Sequence, residues 1–141
     1  VAILPNNDPG TSYILNVINE LPRERFRLIP SMRFVYFSEL LRNARVIVGN
    51  SSVGVREAPF LGLPSLDIGT RQNKRNMTDS ILTTTAFDED TILRFLKVFW
   101  NKKYKKNTAF GVGDSSDKFE RIIRQSKIWK LPLQKEFFDE S

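Results

Sequence analysis

Gly49-Asn50-Ser51-Ser52-Val53-Gly54 lies between an apolar run, Arg45-Val46-Ile47-Val48, and a stretch with helical spacing. A turn from strand into helix exposes unpaired backbone N–H groups and the positive end of a helix dipole. Small residues let a phosphate approach that backbone, and the Ser51 and Ser52 hydroxyls add donors. A serine before a helix is also the ordinary N-cap, and on spacing alone Ser52 reads at least as well that way. The two roles are compatible. Glu57 falls about one turn further on. Its two oxygens match a vicinal diol such as that of a ribose, while on spacing alone a pair with Arg56 or the helix dipole explains it better. Arg71, in Gly69-Thr70-Arg71-Gln72, follows another apolar run. It could pair with a diphosphate, brace its segment, or be a plain surface arginine. Arg75, beside Lys74, is the weaker candidate.

What the chain lacks narrows the chemistry. Its 141 residues contain no cysteine and no histidine. Disulfides and thiolate metal sites are excluded, and the commonest general base near neutral pH is missing. No metal and no cofactor is expected. Asp8, Asp67 and Asp79 are the tempting carboxylates, and none is assigned a catalytic role: Asp8 reads as a turn former and Asp67 as a strand-end residue. Lysine and arginine number 22 against 16 acidic residues, a net charge of +6. The basic residues are spread along the chain except in Lys102-Lys103-Tyr104-Lys105-Lys106, so the charge implies a solvated surface rather than a nucleic-acid module. It also suits an anionic substrate. No apolar run approaches the roughly 20 residues of a membrane helix, and no secretory signal opens the sequence. The expectation is a cytoplasmic protein bound to neither membrane nor nucleic acid.

These residues need elements to hold them, and the pattern alternates. Residues 1–4 read as a buried strand ending in a Pro- and Asn-rich loop. Tyr13, Ile14, Val17, Ile18 and Leu21 mark a helix that Pro22 stops. A short strand over residues 26–29 precedes a helix with Phe34, Phe37, Leu40 and Leu41 on its apolar side. Residues 45–49 form the next strand. Residues 53–61 form a helix that Pro59 should shorten or kink. Residues 65–68 and 81–84 are strands joined through the polar loop 70–79. Residues 88–101 form a strong helix, and a last helix covers about 117–126. Strands separated by helices predict one α/β domain, a doubly wound parallel sheet of Rossmann-like form. Ligands in such sheets bind at the carboxyl ends of the strands, which singles out loops 6–11, 49–52 and 69–75. A strand read as buried at residue 1, with no turn before it, predicts that an upstream part is absent.

The run Gly49-Asn50-Ser51-Ser52-Val53-Gly54-Val55-Arg56-Glu57-Ala58-Pro59 is followed by Leu61-Gly62-Leu63-Pro64 and Ile68-Gly69-Thr70-Arg71-Gln72. Together they closely resemble the hydrolysing UDP-N-acetylglucosamine 2-epimerases of the sialic-acid-pathway type. Those include bacterial enzymes and the epimerase half of the animal enzyme that also carries a kinase. Leu4-Pro5-Asn6, Asp8 and Gly10 resemble the family's earlier strand and loop, and Pro132-Leu133-Gln134-Lys135 its tail. The resemblance therefore runs over nearly the whole chain. It implies the C-terminal half of a two-domain fold of the glycosyltransferase-B type, with UDP-N-acetylglucosamine in the interdomain cleft. Residues 1–141 would be most of the C-terminal UDP-binding domain, lacking the N-terminal domain and the first strand of their own domain.

Carried over by position, Ser51 and Ser52 would contact the diphosphate and Glu57 the ribose hydroxyls. Arg71 would belong to the UDP site and Asn6 would lie near the phosphates or sugar. Ser31 and Met32 would meet the uracil through their backbone. The family's acid/base carboxylates and a histidine lie upstream of the matched region, so no catalytic residue is expected here, and the chain alone would be inactive. The intact protein would be a homo-oligomer. Ser12 stands where the animal enzyme has a basic residue, which argues against feedback by CMP-sialic acid. The non-hydrolysing epimerases share this site. Residues 53–57 and 70–72 and the tail favour the hydrolysing branch. A glycosyltransferase half, or a non-catalytic module using its basic surface, are the remaining alternatives.

Overall fold

The computed structural model describes residues 1–75, 78–132 and 134. Among them are strands β1 (Ala2–Ile3), β2 (Leu28–Ile29), β3 (Ile47–Gly49), β4 (Ser65–Ile68) and β5 (Ile81–Thr84). The α-helices are α1 (Thr11–Asn19), α2 (Phe34–Asn43), α3 (Glu57–Phe60), α4 (Glu89–Phe99) and α5 (Ser115–Ile123), with 3-10 turns at Ser52–Gly54 and Ile128–Lys130. Every strand pairing is parallel: β1 with β2, and β3–β4–β5 in that order. Parallel neighbours need crossovers. Helix α1 lies between β1 and β2 in the chain, and α3 between β3 and β4. This is an α/β arrangement of Rossmann-like type.

The core belongs to the second sheet. Ser65, Leu66 and Asp67 are all buried, as a central strand covered on both faces requires. Leu41, Ala58 and Leu63 form a cluster joined by Phe37, Ala44, Ile47, Val53 and Leu61. Phe95 of α4 is wholly buried and its ring stacks on Phe99 at 4.8 Å. Burying such a ring stabilises by about 1.5–3 kcal/mol.

The first sheet is different. No residue before Leu41 is buried, and Val1 and Ile3 are 63% and 37% exposed. The expected buried first strand is therefore corrected: β1 pairs on one edge only, with β2, and no described layer buries it. Phe34 likewise stays 65% exposed while Phe37 and Leu41 turn inward.

The helix expected over residues 53–61 breaks into the Ser52–Gly54 turn and α3. Pro59 is the reason. Its missing N–H is harmless only in a first helical turn, and α3 starts so that Pro59 falls there. Gly54 lets the turn lie directly on β4, because a Cβ at that position would sit 2.6 Å from Ser65 Oγ. At the other end α5 runs over Ser115–Ile123 rather than 117–126. Trp129 Nε1 donates to the Ile123 carbonyl at 2.8 Å, folding the chain back over the helix end. Of the tail Pro132-Leu133-Gln134-Lys135, Leu133 and Lys135 lie outside the described residues. No described helix is long and apolar enough to cross a membrane.

Asp88 ties α4 to the sheet. Its carboxylate accepts the Thr91 backbone N–H at 3.0 Å and the Thr84 hydroxyl at 3.0 Å. Hydrogen bonds from Thr91, side chain then backbone, and from Thr84 hold this carboxyl below the usual range. A depressed folded value means its contribution is present above the unfolded pKa of about 3.9. That contribution is lost as pH falls through the folded value. Asp88→Ala is accordingly expected to lower the melting temperature at pH 7 and to change it far less at pH 2.5. Thermal melts followed by circular dichroism at both pH values check this.

Candidate functional site

Parallel pairing decides which loops share an edge. Asn6 follows β1, and Ser31 and Met32 follow β2, so all three stand at the carboxyl edge of the first sheet. Ser51 and Ser52 follow β3 and Arg71 follows β4, at the carboxyl edge of the second. The two edges meet: Arg71 Nη1 lies 3.7 Å from Asp8 Oδ2. Both side chains are about 60% exposed, so the pair marks position more than it stabilises. Each loop singled out by the strand pattern thus sits on one rim. Among the described residues no hydrogen bond or ion pair joins Ser31 or Met32 to Ser51, Ser52 or Arg71.

The second edge is fastened from beneath. Gln72, 3% exposed, donates from Nε2 to the Asn50 carbonyl at 2.9 Å. This bond joins the turn after β4 to the loop after β3. Nothing in the residue types signals it, because a glutamine beside a conspicuous arginine carries no signature of its own. The partner, moreover, is a main-chain carbonyl 22 residues away.

The serines do not cap. Ser51 occupies the N-cap position of the 3-10 turn with extended backbone, and no side-chain cap hydrogen bond forms. The expectation that Ser52 caps a helix is corrected in the same way, since the turn has three residues and α3 four. Neither is long enough to sum its peptide dipoles into a field worth invoking. What remains is individual donors. The carbonyls of Ser51 and Ser52 are taken by Gly54, Val55 and Arg56 N–H groups at 3.0 to 3.1 Å. The N–H groups of Ser51, Ser52 and Val53 and both serine hydroxyls have no acceptor among the described residues.

Glu57 opens α3, just beyond that turn. Its Oε2 is buried without a donor among the described residues. The alternative pair with Arg56 does not form: the Arg56 guanidinium lies over the Phe110 ring, 5.3 Å from its centre. Asp67, at 3% exposure, is paired in register with Gly49 and Thr83, and burial pushes its carboxyl up. Among the described residues no group of three or more acidic side chains could hold a metal.

Ile47, Val48, Gly49, Ser51, Gly54 and Ser65 line a cavity of about 20 Å³ under the loop, room for about one water. Any ligand larger than water that binds at this loop must therefore lie on the open rim.

The sequence profile described as UDP-N-acetylglucosamine 2-epimerase matches residues 1–124. The chain belongs to that family. It is 38% identical over 142 residues to a UDP-N-acetylglucosamine 2-epimerase of Neisseria meningitidis serogroup B, covering 99% of this chain and 38% of that protein. It is 31% identical over 137 residues to a UDP-N,N'-diacetylbacillosamine 2-epimerase (hydrolyzing) of Legionella pneumophila, covering 96% and 36%. A polysialic acid biosynthesis protein P7 of Escherichia coli is 26% identical over 100 residues, covering 70% and 25%. The chain thus spans less than two fifths of the length of these relatives.

Proposed function

We propose that the full-length protein converts UDP-N-acetylglucosamine to N-acetylmannosamine and UDP, and that this chain supplies the UDP-binding half. One observation carries the reading: the unbonded N–H groups and hydroxyls of Ser51 and Ser52 share a rim with Arg71 and stand just before Glu57. Donors without acceptors are what an anion requires, and Glu57, opening α3 beside them, supplies a carboxylate for a ribose hydroxyl. Asn6 and the Ser31 and Met32 backbone complete the nucleotide site on the first sheet's edge.

In the reaction a base removes the proton from sugar C2 as the C1–O bond to the diphosphate breaks, leaving a C1–C2 double bond. Water then adds, hydroxyl to C1 and proton to C2 on the opposite face, which inverts C2. The part of this chain is to stabilise the departing charge with the Ser51 and Ser52 donors and to fix the nucleotide through Glu57. The base comes from outside these 141 residues, which hold no histidine.

The exposed first sheet and the break between the sheets support an architecture in which a further strand and an upstream domain complete the fold. The cleft between domains then provides the wall that the rim lacks. The name of the Legionella relative specifies hydrolysis, which supports free sugar as the product. Proton NMR of UDP-N-acetylglucosamine incubated with the full-length protein tests this. Free N-acetylmannosamine and UDP are expected. UDP-N-acetylmannosamine would place the protein in the non-hydrolysing branch, and no turnover would overturn the reading.

A further inference from the structure

We propose that Gln72 is a positioning residue, which sets the orientation of the Ser51 N–H by gripping the Asn50 carbonyl. The proposal rests on the nucleotide reading given above. Its basis is the geometry of one peptide unit. The Asn50 carbonyl and the Ser51 N–H belong to the same trans peptide, so they point in opposite directions. Gln72, buried and following β4, holds that carbonyl toward itself at 2.9 Å. The Ser51 N–H is thereby turned away from Gln72. Rotation of this peptide would exchange donor for carbonyl at the same spot, presenting a negative dipole where a phosphate should sit.

The amide orientation is fixed by the bond itself. Turned the other way, Oε1 would face the Asn50 carbonyl, acceptor against acceptor. As it stands, Oε1 is buried and has no donor among the described residues. Leaving a buried acceptor unpaired is unfavourable, so the Nε2 contact holds the side chain in place despite that loss. The contact is also well protected. A bond shielded from water on a side chain 3% exposed keeps the loop in one state more firmly than the exposed Arg71–Asp8 pair could.

The test uses the full-length protein, with Gln72→Met and Gln72→Leu, both of which remove the donor at similar volume. Dissociation constants for UDP and for uridine are measured by titration, with thermal melts alongside. Loss of the bond should weaken UDP about tenfold and leave uridine, which has no phosphate, unchanged. Unchanged UDP affinity would overturn the assignment. So would an equal weakening of UDP and uridine, which is the result expected if Gln72 only supports the fold. If the wild type binds UDP no better than uridine, the nucleotide reading itself fails and the role of Gln72 falls with it.

Discussion

Glu57→Ala in the full-length protein is expected to weaken UDP binding roughly a hundredfold without lowering the melting temperature. The size follows from the bonds proposed. A carboxylate that accepts both ribose hydroxyls makes two charge-assisted hydrogen bonds, each about 1.5–3 kcal/mol. Removing both costs about 3 kcal/mol, which is roughly a hundredfold in affinity. The stability half follows from the structure: Glu57 Oε2 is buried without a donor, and Arg56 is engaged with Phe110. Alanine thus breaks no internal hydrogen bond and relieves an unpaired acceptor. Titration of UDP against both proteins, with parallel thermal melts, separates the outcomes. Equal affinities would remove Glu57 from the site, and a fall in both properties would make it a structural residue.

The second large effect is on stability alone. Gly62→Ala should lower the melting temperature by roughly 10 °C, from a loss of about 3 kcal/mol or more. Gly62 has φ +66°, and a Cβ there would lie 2.2 Å from the Tyr104 carbonyl oxygen. Neither side can yield cheaply. Gly62 N–H donates to Pro59 and its carbonyl accepts from Tyr104 N–H, at 3.1 and 3.0 Å. Gly111→Ala is the control. It shares a positive φ, +109°, but has nothing within 4 Å of the added Cβ. Its cost is the backbone penalty alone, about 1–2 kcal/mol. Equal losses at the two sites would refute the close-contact explanation.

The basic run 102–106 shows where sequence reading reaches its limit. Its lysines are exposed, as a solvated surface requires, but Lys106 Nζ also lies 3.6 Å from the centre of the Phe60 ring and Lys102 Nζ 4.7 Å from that of Phe99. Asn107 N–H donates to the Pro59 carbonyl at 3.0 Å. The segment is a strap that fixes the turn after α3. Nothing local announces it, since Pro59, Phe60 and Gly62 stand more than 40 residues earlier in the chain.

Strands β4 and β5, by contrast, were legible to the residue, because apolar runs between turn formers have few alternatives. So was the gathering of Ser51, Ser52 and Arg71 on one edge, which parallel topology imposes. The burial of the first strand was misread, as apolar composition says what a strand prefers to contact and not whether a layer is there. The Gln72 clamp was illegible for a related reason: a side chain's bond to a distant main-chain carbonyl leaves no trace in residue type.

A crystal structure of the full-length protein with UDP addresses the central assignment most directly. Diphosphate oxygens are expected within about 3 Å of the Ser51 and Ser52 donors, and the ribose hydroxyls on Glu57. A nucleotide bound at the opposite end of the strands, or with its phosphates out of reach of both serines, would contradict it.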